Sequence, residues 1–345
     1  MDQPTRRRFL AAAGMAAVAG CTAGRRESPE PVEREPNTDP ETEYAATYEA
    51  TIGSVAFVGS EEGGGSGFVH DGHVVTNQHV VGDDDEIDVR FHDGEWGRAT
   101  VQGADPFADL AVLSTNVPEY ARPLSFVETI PAIGTEVLAL GSPFGLESSV
   151  SRGIVSGRDR SLPSPTGFSI PNTVQTDAGL DPGNSGGPLV TLDGDVTGVA
   201  VAAAGTSVGF AVSPLLARRI LPELVETGSY DHPFLGVGIR EVTPRLAEAN
   251  DLGTPRGVYI DEILAEGPSE TSLEGSDDET TIDGDAAPVG GDVLVELADE
   301  PIETDADLGT VLALSLSPGD RADAIVIRDG GPTELTVPIG TRPTP

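Results

Sequence analysis

Along most of the chain the apolar residues come in short runs of Val, Ile, Leu and Phe, cut off at close intervals by Gly, Asp and Pro. Runs of that length with turn residues between them predict strands, and their spacing predicts an all-β sandwich or barrel. The strands expected in the first block are Ser54–Val58, Gly67–Val69, His73–Thr76, Ile87–Phe91, Leu110–Ser114, Glu136–Gly141, Gly153–Ser156, Thr173–Thr176, Pro188–Thr191, Val196–Ala203 and Val208–Val212. A helical apolar period occurs only at Pro214–Glu226, where it closes the block. A short polar linker, residues 227–232, leads to a second block, residues 233–343. There, more strands alternate with helices expected over Thr243–Asn250 and Thr304–Leu316. No internal repeat relates the blocks, so two unlike domains are expected, the first over residues 44–226.

The N-terminus breaks this pattern. Thr5-Arg6-Arg7-Arg8-Phe9-Leu10 is followed by an Ala-rich apolar run to Ala19, then Gly20 and Cys21, which is the layout of an export signal over residues 1–20. The run is about half of the ~20 residues needed to span a bilayer, so a permanent membrane helix is disfavoured. Paired arginines before Phe-Leu resemble a twin-arginine signal, the address of proteins exported already folded. Val18-Ala19-Gly20-Cys21 resembles a lipoprotein cleavage box, in which Cys21 becomes the lipid-modified first residue. The expected location is therefore the outer face of the cell membrane, held by a lipid anchor. Residues 21–43, rich in Pro and Glu, read as a disordered tether.

Composition narrows the partners. The chain has 345 residues, with 20 basic against 57 acidic side chains and a net charge of -37, and every basic residue is Arg. Such an excess repels nucleic acid and anionic lipid, so neither is an expected partner by charge. The Lys-free, acid-rich surface looks like that of proteins from extreme halophiles, where salt screens the self-repulsion. With Cys21 as the only cysteine, neither an intrachain disulfide nor a cysteine-rich zinc site can form.

One segment carries chemistry: Asp181-Pro182-Gly183-Asn184-Ser185-Gly186-Gly187-Pro188. Glycines on both sides of a serine permit a tight turn that bares the hydroxyl and directs amide N–H groups inward. The N–H groups of Gly183 and Ser185 are then candidates for an oxyanion hole. Gly-x-Ser-x-Gly alone also fits the nucleophile elbow of α/β-hydrolases, which need a helix after the serine and a downstream acid and histidine. Here Gly186-Gly187-Pro188 breaks any helix, and the only downstream histidine is His232 in the linker. A trypsin-type order of His, Asp and Ser is met instead by His79, delivered by an apolar strand to a turn, Asp109, just before Leu110–Leu113, and Ser185. His70, His73, His92 and His232 read as surface or structural residues.

These motifs resemble the HtrA (Deg) family of trypsin-fold serine proteases. The resemblance rests on Gly65-Ser66-Gly67-Phe68, Thr76-Asn77-Gln78-His79-Val80-Val81, Asp109-Leu110-Ala111-Val112-Leu113, Gly141-Ser142-Pro143-Phe144-Gly145-Leu146, Gly153-Ile154-Val155-Ser156-Gly157 and Gln175-Thr176-Asp177-Ala178 through Pro188. In the second block Phe234-Leu235-Gly236-Val237 resembles the carboxylate-binding loop of a PDZ domain, and Gly290-Gly291-Asp292 and Pro318-Gly319-Asp320 resemble later PDZ landmarks. An acidic insertion, residues 270–289, departs from the family pattern.

The resemblance implies a double β-barrel of the trypsin type followed by a small α+β PDZ domain. It implies a serine endopeptidase that cuts unfolded or damaged proteins and needs no cofactor or metal. Ser185 would attack, His79 would take its proton and Asp109 would hold the imidazole. Gly179, six places before the serine, would lie at the base of a neutral S1 pocket walled by Gly209, Phe210 and Ala211, favouring Val, Ala, Leu or Ile before the cut. The PDZ groove, Leu235–Arg240 facing a helix near 305–316, would take peptides with free C-termini. Relatives of this kind imply a homotrimer. Tyr44 and Tyr48 are candidates for its contact, with core packing as the other reading, and a short stretch at Gly59–Gly65 argues against a larger shell. Two rival readings are a membrane-tethered PDZ binding protein or chaperone with incidental proteolysis, and an esterase of similar chemistry.

Overall fold

The computed structural model describes residues 40–60, 63–92, 94, 96–142, 149–203 and 208–344. The export signal, Cys21 and the tether as far as residue 39 lie outside the described residues, as do Pro143–Leu146 and part of the Gly59–Gly65 stretch.

Twelve strands of the first block form two closed six-stranded barrels. The first contains β1 (Val55–Ser60), β2 (Gly63–His70), β3 (His73–Thr76), β4 (Glu86–Phe91), β5 (Trp96–Asp105) and β6 (Leu110–Ser114), in the order β1-β2-β3-β6-β5-β4. The second contains β7 (Glu136–Gly141), β8 (Ser149–Pro163), β9 (Ser169–Thr176), β10 (Pro188–Thr191), β11 (Val196–Ala203) and β12 (Gly209–Val212), in the order β10-β11-β12-β9-β8-β7. Closure leaves no free sheet edge, and Val, Leu, Ile and Ala fill each interior.

Two of the differences from the expected elements have local causes. Strand β5 was not expected, because few of its ten residues are large and apolar; it is held by pairing with β4 and β6. Helix α1 (Pro40–Thr51) takes in Pro40–Glu43, so the tether ends earlier than its composition suggests. Thr47 anchors that helix by donating to Leu192 O (2.6 Å). Tyr44 and Tyr48 pack against the core of their own chain, and the Tyr44 hydroxyl donates to the Glu136 carboxylate.

Helix α2 (Gln78–Val81) is a single turn after β3, and helix α3 (Pro214–Thr227) closes the barrels. Ser213 caps α3 by accepting from Leu216 N–H, while Gly228 ends it in a left-handed turn. Its Leu216, Ala217, Ile220, Leu221 and Leu224 are buried.

In the second block, β13 (Pro233–Phe234) pairs with β22 (Gly340–Thr341). The main sheet runs β14 (Val237–Glu241), β15 (Val258–Ile263), β18 (Val293–Leu297), β20 (Arg321–Arg328), β21 (Gly331–Pro338), with β19 (Glu300–Pro301) paired to β18. Helices α4 (Pro244–Ala249) and α5 (Asp305–Ser315) fall within the stretches expected to be helical, Thr243–Asn250 and Thr304–Leu316. The acidic insertion is folded and carries its own hairpin, β16 (Asp278–Ile282) with β17 (Asp285–Val289). Arg328 pins its approach by donating to both oxygens of fully buried Asp292 (2.7 Å each) and to Ser272 O (3.1 Å).

The two blocks touch through side chains. Ala313 of α5 belongs to the barrels' core, and Arg219 of α3 donates to the α5 end at Leu314 O and Leu316 O and to Ser317 Oγ (3.0 Å). Within residues 227–232, Thr227, Ser229 and Asp231 are exposed, whereas His232 is buried.

Candidate active site

The histidine and the acid are placed by neighbouring elements of the first barrel. Strand β3 ends at Thr76 and α2 starts two residues on, so His79 falls within a single helical turn that tightly limits where its ring can lie. Asp109 sits one residue before β6, with a left-handed backbone (φ 53°) that only a few residue types accept readily. Asn77, fully buried, stabilises that conformation: its Nδ2 donates to Asp109 O at 2.8 Å. The Asp109 carboxylate then accepts the His79 backbone N–H (2.9 Å) and Nδ1–H (2.7 Å to Oδ2, 3.0 Å to Oδ1). A carboxylate on Nδ1 fixes the tautomer that leaves Nε2 free to take a proton. Hydrogen bonding to Asp109 raises the imidazole above its ordinary pKa; burial works against that rise, and the carboxylate's charge adds to it.

Ser185 comes from the second barrel, in the turn before β10. Glycine is required beside it. A Cβ on Gly186 would lie 2.1 Å from Ser66 O and 2.4 Å from Thr76 Oγ1, and its φ of +83° is unfavourable for other residues. Ser66, fully buried on β2, ties this turn to the first barrel. Its N–H donates to Ser185 O (2.7 Å), its hydroxyl donates to Gly183 O (2.6 Å) and accepts Ser142 N–H (2.8 Å), and its carbonyl accepts from Thr76 Oγ1 (2.7 Å). The N–H groups of Gly183 and Ser185 donate to no other described residue, whereas Asn184 N–H closes the turn on Asp181 O (3.0 Å). The Ser185 hydroxyl donates to Val201 O at 2.6 Å. It has one proton, so in this state that proton is not directed at His79.

His79, Asp109 and Ser185 line one cleft of about 840 Å³. Gly179 and Gly209 line it too. Phe210 and Ala211 do not. Ala211 points into the second barrel with Val174 and Leu189, and period-2 alternation turns its neighbour Phe210 the other way. Apolar surface comes instead from Ala178, Leu180, Ala200, Val201, Val208 and Ile170. Leu180 presses on Gly209, where an added Cβ would lie 2.7 Å from its Cδ1. The cleft is walled on one side by Leu162–Thr166, the end of β8 and the turn that follows it. No group of three or more potential metal ligands occurs among the described residues.

In the second block, Leu235 is buried and Gly236 has φ +74° against Pro268. Among the described residues strand β14 pairs with β15 alone, which leaves its other edge without a strand partner there.

Ser66 was legible only as part of a Gly-Ser-Gly motif, since its bond to Gly183 O spans 117 residues. Asn77 likewise stood beside His79 in the sequence without any sign of its hold on Asp109.

Two closed antiparallel barrels, one supplying a histidine–aspartate pair and the other a glycine-flanked serine at a shared cleft, define the class: a trypsin-like serine peptidase. Residues 65–199 match the family described as trypsin-like peptidase domain. A "Probable periplasmic serine endoprotease DegP-like" of Ectopseudomonas mendocina (strain ymp) is 38% identical over 287 residues, covering 81% of this chain and 56% of the relative. The protein of the same description from Hahella chejuensis (strain KCTC 2396) is 34% identical over 286 residues, 81% and 57% of the two chains. The chain thus spans about half the length of the curated relatives it matches. The solved "HtrA-type protease AlgW with decapeptide" superposes with a TM-score of 0.69 at 26% identity, over 88% of this chain and 99% of that one. The chain belongs to the HtrA/DegP-type family of trypsin-like serine proteases.

Proposed function

We propose that this protein is a serine endopeptidase that hydrolyses peptide bonds in unfolded or damaged proteins. The observation that carries the reading is the His79–Asp109 pair, already bonded, in one cleft with a serine whose turn admits only glycine at Gly186. Ser185 Oγ turns from Val201 O to the substrate carbonyl carbon and forms the C–O bond as its proton passes to His79 Nε2. Asp109 keeps Nδ1 protonated and stabilises the cation, and the free N–H groups of Gly183 and Ser185 receive the oxyanion. His79 then gives the proton to the leaving amine, and water, deprotonated by the same imidazole, releases the acyl group. The neutral floor at Gly179 and the wall of Leu180, Ala200, Val201 and Val208 favour a Val, Ala, Leu or Ile side chain before the cut, because a cation there would lose hydration without a counter-charge.

The second block reads as a PDZ domain over residues 233–343. The loop Phe234-Leu235-Gly236-Val237 would take a terminal carboxylate, and the open edge of β14 would take the peptide as an added strand. Export by the twin-arginine route, anchoring through lipidated Cys21, assembly as a homotrimer and a saline habitat complete the reading and rest on the sequence. The relatives' description as periplasmic agrees with export.

The test is casein cleavage by the purified protein in molar salt, beside Ser185→Ala. Cleavage by the wild type alone supports the reading; equal cleavage by both, or by neither, defeats it.

A further inference from the structure

His232 lies outside both barrels, yet its imidazole is buried and its Nε2 stands 2.8 Å from Asp105 Oδ2. Asp105 ends β5, four residues ahead of Asp109, and its side chain is only 1% exposed. A carboxylate oxygen accepts, so the facing Nε2 carries the hydrogen. The other oxygen, Oδ1, accepts Phe107 N–H at 3.0 Å. Asp105 thus clamps the near end of the turn Asp105-Pro106-Phe107-Ala108-Asp109, and Asn77 clamps the far end at Asp109 O.

The groups that close over this clamp come from both sides of the junction: Phe107 and Phe168 from the first block, Tyr230 from the linker and Arg342 from the second block. The rings of Phe107 and Tyr230 meet His232 edge-on at 5.2 Å and 4.8 Å. Arg342 N–H donates to His232 O (2.8 Å), and its guanidinium lies over Phe107 at 4.9 Å and Phe168 at 4.4 Å. Burial lowers the Arg342 pKa, and the Asp105 charge partly offsets that.

We propose that His232 is a positioning residue for the catalytic acid: the segment joining the two blocks supplies the donor that holds Asp105, and through it the turn that aims Asp109 at His79. The inference rests on the peptidase reading. A buried carboxylate keeps its place only while its oxygens have donors. Without the imidazole, Oδ2 loses its donor, and Asp105 leaves for solvent or repacks toward the buried Arg342 guanidinium. Either response loosens the Phe107 N–H bond and the left-handed geometry at Asp109. The second block therefore bears on the chemistry without entering the cleft.

The test uses the full chain as wild type, His232→Ala, His232→Gln and Asp105→Asn. The readouts are kcat and KM on a peptide substrate, melting temperature, and the low-field proton NMR signal of His79 Nδ1–H bound to Asp109. We expect His232→Ala to lower kcat by about 10- to 100-fold with KM nearly unchanged, and to broaden or shift the low-field signal. Gln has an amide donor where the histidine has Nε2–H, so His232→Gln restores most of both. Asp105→Asn keeps the shape but offers one acceptor oxygen to two donors, and lowers kcat in the same direction; it carries the test if His232→Ala does not fold. Wild-type kcat and an unmoved signal in His232→Ala, or losses in His232→Gln as deep as in His232→Ala, would overturn the proposal. If the wild type cleaves nothing, the peptidase reading fails on its own, and the NMR signal still decides whether His232 positions the acid.

Discussion

The two barrels bring their catalytic groups to the cleft in different states of assembly. On the first, His79 and Asp109 are joined by three hydrogen bonds from His79, two of them between side chains. On the second, the turn around Ser185 is held firmly through Ser66, but the hydroxyl itself points to Val201 O. The acid and base are brought together within a short stretch of one barrel, by adjacent strands β3 and β6. The nucleophile's position relies on contacts between barrels and on loops. The proposed proton-transfer pair is thus already bonded in this structure, whereas the serine hydroxyl would still have to turn from Val201 O toward His79.

The comparison breaks most completely at the serine. Ser185→Ala removes the attacking atom and should lower kcat by about 10⁶-fold with the melting temperature nearly unchanged, as read by steady-state kinetics and calorimetry. On the other barrel, Asp109→Asn keeps the volume but presents an amide to His79 Nδ1, favouring the wrong tautomer. The expected loss is about 10⁴-fold in kcat.

Ser66→Ala tests the bridge between the barrels. It leaves Gly183 O and Ser142 N–H without their partner, which should cost about 1–3 kcal/mol in folding and about 10- to 100-fold in kcat, with KM little changed. A variant with normal kcat would show that the Ser185 turn holds its shape without the first barrel.

The smallest effect concerns acidity. The base must be neutral to work, and Asp109 raises the His79 pKa, so kcat/KM should fall on acidification with a midpoint above the ordinary histidine value. For stability the sign is opposite. A pKa higher in the folded than in the unfolded state contributes stability that is complete below the unfolded value and is lost as pH rises through the folded one. In Asp109→Asn the cause is gone, and NMR titration should find the His79 midpoint lower than in the wild type.

Much of this cleft was legible in the sequence, and the reasons separate by range. The order His79, Asp109, Ser185 and the strands carrying them could be read because apolar runs bounded by turn residues are local signals. The strands His73–Thr76, Leu110–Ser114, Glu136–Gly141, Pro188–Thr191 and Val196–Ala203 occur with the expected bounds. Strand β5 escaped because pairing, not its own composition, makes it a strand. Phe210 and Ala211 were misplaced because proximity in sequence says nothing of which face a strand residue takes. The bonds of Ser66 to Gly183 O and of His232 to Asp105 cannot be read from the sequence because they span 117 and 127 residues.

Activation of Ser185 by His79 is checked by mapping a fluorophosphonate adduct by mass spectrometry in the wild type and in His79→Ala. A single adduct, on Ser185, is expected in the wild type and almost none in His79→Ala. An adduct on another residue, or equal labelling of Ser185 in both proteins, would contradict it.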